Sequence, residues 1–200
     1  TPLSYGAVRT PTAQWTATAA GACLLRPAGQ GVGIRAVTFG RVQDYQIRDI
    51  NNMGAAMAPA ASATLLHYLR DTHAEPPDFD AIYTGDLGFV GSRLLLEILQ
   101  SEGLPLQNHQ DCGLLLYDRA RQQVKAGGSG AGCSAAVLAA HILPGLAKGQ
   151  LHRVLLVSTG ALMSQTTFLQ GESIPGIAHL VELLAPGTPV YRRPARQRRN

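Results

Sequence analysis

Residues 125–146, KAGGSGAGCSAAVLAAHILPGL, place glycines at 127, 128, 130 and 132 ahead of a cysteine and an alanine-rich apolar run. From Cys133 to Lys148 the spacing predicts a helix, and Ala135, Val137, Leu138, Ala139, Ile142 and Leu143 leave it no polar side before the last turn. A helix that is apolar all round is buried all round. The stretch therefore predicts a small-residue helix sunk between two apolar surfaces, as in a sheet, helix, sheet sandwich. The rest of the chain supplies strands for only one of those sheets.

The glycines admit three readings: a phosphate cradle, the seat of a nucleophile, or a packing device. A phosphate loop of the G-x-x-x-x-G-K-[ST] kind would be framed by Gly127 and Gly132, but Cys133 stands where the lysine belongs. Gly128, Gly130 and Gly132 also fail the G-x-G-x-x-G spacing of a dinucleotide site. As a nucleophile Cys133 would gain from a helix N-terminus but needs a base. His141, eight residues along the same helix, is about 12 Å away and cannot serve it. A small cysteine in a tight helix–sheet contact, with glycines admitting a neighbouring backbone, is the simpler reading.

Outward from this stretch, TAQWTATAAGACLL and GIRAVTFGRVQDYQI flank the turn-rich RPAGQGVG and predict a hairpin. Residues 55–71 predict a helix whose start the proline at 59 places near Met57 or Ala58. The buried strand Ala81–Thr84 precedes the helix Ser92–Ser101. CGLLLYD and QVKAG predict a second hairpin, and Val154–Ser158 and GIAHLVELL two more strands. The alternation of strands and helices predicts an α/β fold. Asp86, after a buried strand and before a helix, stands where α/β proteins contact ligands, or else caps the helix. Asp111 reads as a turn residue. The histidines show no helical pairing suited to a metal, and no cofactor motif is read.

At 46% hydrophobic, 200 residues fill a sizeable core, while charged residues are only 15%. The net charge of +4 belongs to a tail, since Arg192, Arg193, Arg196, Arg198 and Arg199 fall in the last nine residues and without these five the balance is −1. The reading is a solvated basic tail on a fold that is not itself basic, with no nucleic-acid partner. Cys23, Cys112 and Cys133 are odd in number and far apart, which suits a reducing compartment. No run spans a bilayer and no signal peptide is read, so a soluble or peripheral protein is expected. A start without methionine implies processing or a beginning within a longer protein.

TPTAQWT, NNMGAAMAPAA, YTGDLG, QDCGLLLYD, AGGSGAGCSA and STGALMS followed by QGESIPGIAH occur in this order. So arranged, the chain from about residue 4 to 182 resembles the stage V sporulation protein AD family. The resemblance implies a thiolase-like fold, and this chain resembles the second half alone: residues 1–183 as a thiolase-like C-terminal half domain of a layered sheet/helix/sheet sandwich, and 184–200 as a basic, disordered tail. It implies a non-enzymatic sporulation protein, cytoplasmic or peripheral on the forespore inner membrane. Such a protein binds dipicolinic acid or calcium dipicolinate for uptake, with other stage V sporulation membrane proteins, and dimerises as thiolase-like proteins do. The competing readings are a thiolase-like or ketoacyl-synthase-like acyltransferase and a scaffold with a vestigial pocket. Beyond Glu182 the tail LLAPGTPVYRRPARQRRN departs from the family pattern, for which a shifted reading frame or truncated gene model is a hypothesis that resequencing settles.

Condensing enzymes of this fold carry a histidine where this chain has YTGDLG and an asparagine or histidine where it has AGGSG. Neither Gly85–Asp86 nor Gly127–Ser129 supplies an imidazole, so a decarboxylation or Claisen step lacks its acid–base groups. Recognition of a rigid dianion asks for backbone amides at the carboxylates and small or thioether surfaces at the ring. Asp86, Gly54, Ala55, Met57, Gly128 and Ser129 are the expected pocket residues, with Met53 as a second thioether. Asp86 would meet a dianion only through calcium or as a cap.

Overall fold

The structure, a computed structural model, describes residues 9–27 and 29–188; the tail arginines lie outside them. Among the described residues seven strands and six α-helices follow one another as β1 Trp15–Thr16, β2 Gly33–Thr38, α1 Met53–Thr72, β3 Ala81–Thr84, α2 Gly88–Ser101, β4 His109–Asp111, α3 Cys112–Leu115, β5 Gly128–Ser129, α4 Ala131–Val137, α5 Leu143–Ala147, β6 Arg153–Ala161, α6 Gln165–Leu169 and β7 Gly176–Leu184. The main sheet has five strands in the order β2-β7-β6-β3-β4. β3 runs parallel to β4 and β6, and β7 runs antiparallel to β6 and β2. This is the α/β fold that the alternation predicts.

Side-chain alternation sorts the sheet into two faces. Ile82, Leu155, Val157, Ala178 and Leu180 pack with Leu65, Tyr68, Leu95 and Leu99 of α1 and α2, forming an outer core. Ala81, Tyr83, Val154, Leu156 and Leu183 point the other way, toward Cys133, Val137, Ile142 and Leu146, forming an inner core. The outer helices approach until Gly54 and Gly91 touch: a Cβ on Gly91 would stand 2.7 Å from the Gly54 Cα. At the edge of the outer core Glu182, wholly buried, accepts from Arg35 Nη1 at 2.6 Å, from Arg153 Nε at 2.6 Å and from the Tyr68 hydroxyl. Two guanidinium groups and a phenol thus neutralise and solvate a carboxylate that would otherwise be costly to bury.

Both predicted hairpins are absent. β2 instead pairs with β7, far away in sequence, because a nearly continuous apolar β7 needs strands on both sides. Trp15–Thr16 runs parallel to Gly128–Ser129 in a separate two-stranded sheet. CGLLLYD opens as a helical turn rather than a strand, because the Asp111 carboxylate accepts the Leu114 N–H and so starts α3. α1 begins at Met53, four residues ahead of the predicted start, since the Asn52 side chain accepts from Ala55 N and caps it. Pro59 therefore lies inside the helix, not in its first turn.

The inner helix runs from Ala131 to Ala147, with a π turn at Leu138–Ile142 between α4 and α5. Cys133, Val137, Ile142 and Leu146 are buried against the sheet, while Ala139, Ala140, His141 and Ala147 are exposed. The helix is apolar all round and has one covered side, as a single sheet allows. Beside it Leu138, Leu143 and Ala147 form one wall of a groove of about 1120 Å³, with Leu156, Val181 and Leu183 as its floor and residues 22–27 along its rim.

Candidate functional site

The C-terminal ends of β3 and β6 and the glycine loop meet at Asp86. Gly85 N donates to Val157 O, extending β3 one residue, and a Cβ on Gly85 would meet Thr159 N at 3.0 Å. From this crowded turn the Asp86 carboxylate reaches three donors: Gly130 N at 2.9 Å, Thr159 Oγ1 at 2.8 Å and Ser129 Oγ at 3.3 Å. Burial pushes the Asp86 carboxyl above its ordinary range, and the donors, Gly130 N first, pull it back. Gln14 Nε2 donates to both Asp86 O and Gly128 O at 2.8 Å, so the segment leading into β1 binds the same junction. Asp86 does not cap α2; its side chain ties the strand end to the glycine loop.

The capping role belongs to Asp111. Its carboxylate accepts from Leu87 N at 2.9 Å and Gly88 N at 3.0 Å at the start of α2, as well as from Leu114 N at 3.2 Å. Thr84 Oγ1 donates to it at 2.7 Å and lies 2.9 Å from His109 Nε2. With the hydroxyl proton directed at Asp111, that ring nitrogen is the donor. Burial pushes Asp111 up to about 6 and holds His109 down to about 4. Sequence reasoning placed Asp111 in a turn; the signal that could have found it is an aspartate immediately before a helical apolar turn.

Cys133 is wholly buried at the start of the inner helix, with its thiol donating weakly to Gly85 O at 3.9 Å. Burial pushes this thiol up to about 12, so it is protonated at neutral pH, the opposite of an activated nucleophile. His141 is turned to the Tyr83 hydroxyl, with its Nε2 3.3 Å away. The glycines answer to packing: a Cβ on Gly132 would strike Ala19 O, and Gly127, at φ 106°, lies against the Gly113 backbone. Only a residue without Cβ adopts that φ freely.

The expected pocket residues fall into two groups. Asp86, Gly128 and Ser129 meet at the junction, with Ser129 half-buried. Gly54, Ala55 and Met57 lie in the first turns of α1, all buried, with Met57 in the outer core and Gly54 against Leu87 O and Gly91. Met53 is half-buried and packs on the same core. Among the described residues no three of His, Cys, Asp and Glu gather to hold a metal, and no helix is long and apolar enough to cross a membrane.

A family model described as Stage V sporulation protein AD (SpoVAD) matches residues 1–184. The chain is 45% identical over 179 residues to the protein named Stage V sporulation protein AD of Bacillus subtilis (strain 168), covering 89% of this chain and 53% of that protein. It thus spans about half the length of the curated relative it matches.

Proposed function

Because this chain belongs to the stage V sporulation protein AD family, and so to the machinery of sporulation, we propose that it binds dipicolinic acid or its calcium chelate without transforming it. In this reading it serves uptake into the spore, peripheral to the membrane and alongside other stage V sporulation proteins. The observation that carries the binding reading is the junction itself: Asp86, Ser129, Gly130 and Thr159 close on one another with no imidazole among them, beside a thiol kept protonated. Acyl transfer needs an acid–base group and an activated nucleophile there. Binding needs neither.

The same proposal makes the fold thiolase-like and this unit one of two. The inner helix covers one strip of the inner face, and the groove of about 1120 Å³ beside it is apolar along its floor and one wall. A second α/β unit, of the kind the remaining length of the family protein would supply, fits there with a helix of its own and leaves the strand ends as the rim of a cleft. One observation favours the scaffold reading instead: all the donors that Asp86 gathers are internal, so its carboxylate is spent on holding the loop.

Thermal denaturation of the two-unit protein decides between them. Dipicolinate, with and without calcium, should raise the melting temperature progressively with concentration. No shift well above millimolar ligand would leave the scaffold reading.

A further inference from the structure

Phe89, at the start of α2, is 39% exposed and Trp15, in β1, is 41% exposed, and each ring carries arginine on its face. Arg119 Cζ lies 4.2 Å from the Phe89 centroid, and Arg93, one turn along α2, approaches the same ring at 5.9 Å. Arg9 Cζ lies 4.2 Å from the Trp15 centroid. The backbone brings the two stacks to one place. Ala126 O accepts from Phe89 N, Ala126 N donates to Ala13 O, and Trp15 N donates to Gly127 O, so residues 126–127 run between them. The loop leading into this segment is itself basic: Arg119 Nε donates to Lys125 O at 2.8 Å, and Arg121 and Lys125 are exposed.

Stacking on a ring fixes where a guanidinium lies and leaves its N–H edge free for a planar anion. Among the described residues the terminal nitrogens of Arg119 have no hydrogen-bond or ion-pair partner. Arg93 stands 3.9 Å from Glu97 and Arg121 stands 3.6 Å from Asp118, both in exposed pairs that contribute little in water. Charge is divided unequally over the molecule. Twelve Lys or Arg and thirteen Asp or Glu are among the described residues. Five of those cations, Arg9 included, lie on this face against two carboxylates, a balance of +3, while seven cations meet eleven carboxylates elsewhere, a balance of −4. Such a distribution steers an acidic partner to one side.

We propose that this face docks an acidic segment of another protein, whose carboxylates take the free N–H edges of Arg93 and Arg119 and whose apolar groups rest against Phe89 and Trp15. Arginine beside aromatic residues is the usual make-up of a protein-binding anchor. Protein suits the face better than anionic lipid. Both rings lie under guanidinium groups, so neither offers a bare face to a bilayer, and Glu97 and Asp118 repel a uniform sheet of phosphates but match a partner of mixed charge. The face also borders the junction, since Gln14, next to Trp15, donates to Asp86 O and Gly128 O. Docking here does not depend on what the junction binds.

The test is fluorescence anisotropy of a fluorescein-labelled oligoglutamate peptide titrated with the 200-residue chain and three variants. One is Arg93→Glu with Arg119→Glu, on the face. Another is Arg41→Glu with Arg48→Glu, at exposed positions elsewhere. The third changes Arg192, Arg193, Arg196, Arg198 and Arg199 each to Gln, which removes the tail as a competing polycation. The face variant should bind about tenfold more weakly, and the other two should stay within about twofold of the parent. Circular dichroism checks folding, and Arg93→Gln with Arg119→Gln replaces the reversal if that variant unfolds. Equal weakening in the face and Arg41/Arg48 variants, a loss confined to the tail variant, or no binding of the peptide overturns the proposal. So does binding to phosphatidylglycerol vesicles that is lost in the face variant while peptide binding is kept, which assigns the face to lipid.

Discussion

Asp86 and Asp111 sit 25 positions apart and show how differently a carboxylate can be used. Asp86 joins loops, and truncation to alanine strands the Gly130 N–H, Ser129 and Thr159 at once. Asp86→Ala should cost about 2–4 kcal/mol in urea unfolding, and a loss below about 1 kcal/mol would show that the tie is dispensable. Asp111 and His109 share Thr84 and titrate in opposite senses. His109 is held down to about 4 in the folded state, so the stability it permits is present above its unfolded value near 6.5 and lost as pH falls toward 4. Asp111 is pushed up to about 6, so its contribution is full below about 4 and lost as pH rises through 6. The two offset each other between pH 4 and 6. His109→Gln removes one side, and the variant should lose less stability than the parent when urea melts at pH 7.5 and pH 5 are compared; an equal loss would show that the ring is not held neutral. The sequence made Asp86 legible as a candidate because it follows a buried strand. It did not make Thr159 legible as the partner of Asp86, or Asp111 as the acceptor for Leu87 N at the start of α2, because those contacts cross 73 and 24 residues of chain.

Among the elements, the two outer helices depend on glycine and the sheet edge on charge. Gly91→Val would drive a side chain into the Gly54 backbone, and overpacking of that kind costs about 1–3 kcal/mol. The variant should melt earlier in calorimetry, and an unchanged melting temperature would mean that α1 and α2 can slide apart freely. Glu182→Gln leaves two buried guanidinium groups facing a neutral amide and should destabilise by about 3–5 kcal/mol, the range for breaking a buried ion pair. Chevron or equilibrium unfolding would check it. The strands Ala81–Thr84 and GIAHLVELL were legible because a short, mostly apolar run bounded by turn residues has few alternatives. The hairpins were misread because local β-propensity carries no partner: GIRAVT is strand-like on its own, and only tertiary pairing with β7 decides its neighbour. The early start of α1 was hidden by Pro59, whose cost the buried helix absorbs.

At the scale of the whole molecule, the inner helix is largely apolar and the sheet covers only one of its sides. The consequence is an open flank: Leu24 and Leu25, on the groove rim, are 88% and 72% exposed, and Val37 is 50% exposed. At about 25 cal/mol per Å² this surface favours association. Sedimentation of residues 1–200 alone should show concentration-dependent self-association, and a monodisperse monomer with a sharp melt would refute the two-unit reading. Gln14, Trp15 and Ala17 are bonded to Asp86, Gly127, Gly128 and Ser129, so the segment around β1 is stitched to the junction of the β3 end and the glycine loop. Traction on the chain ahead of Gln14 would be delivered to that junction as on a leash.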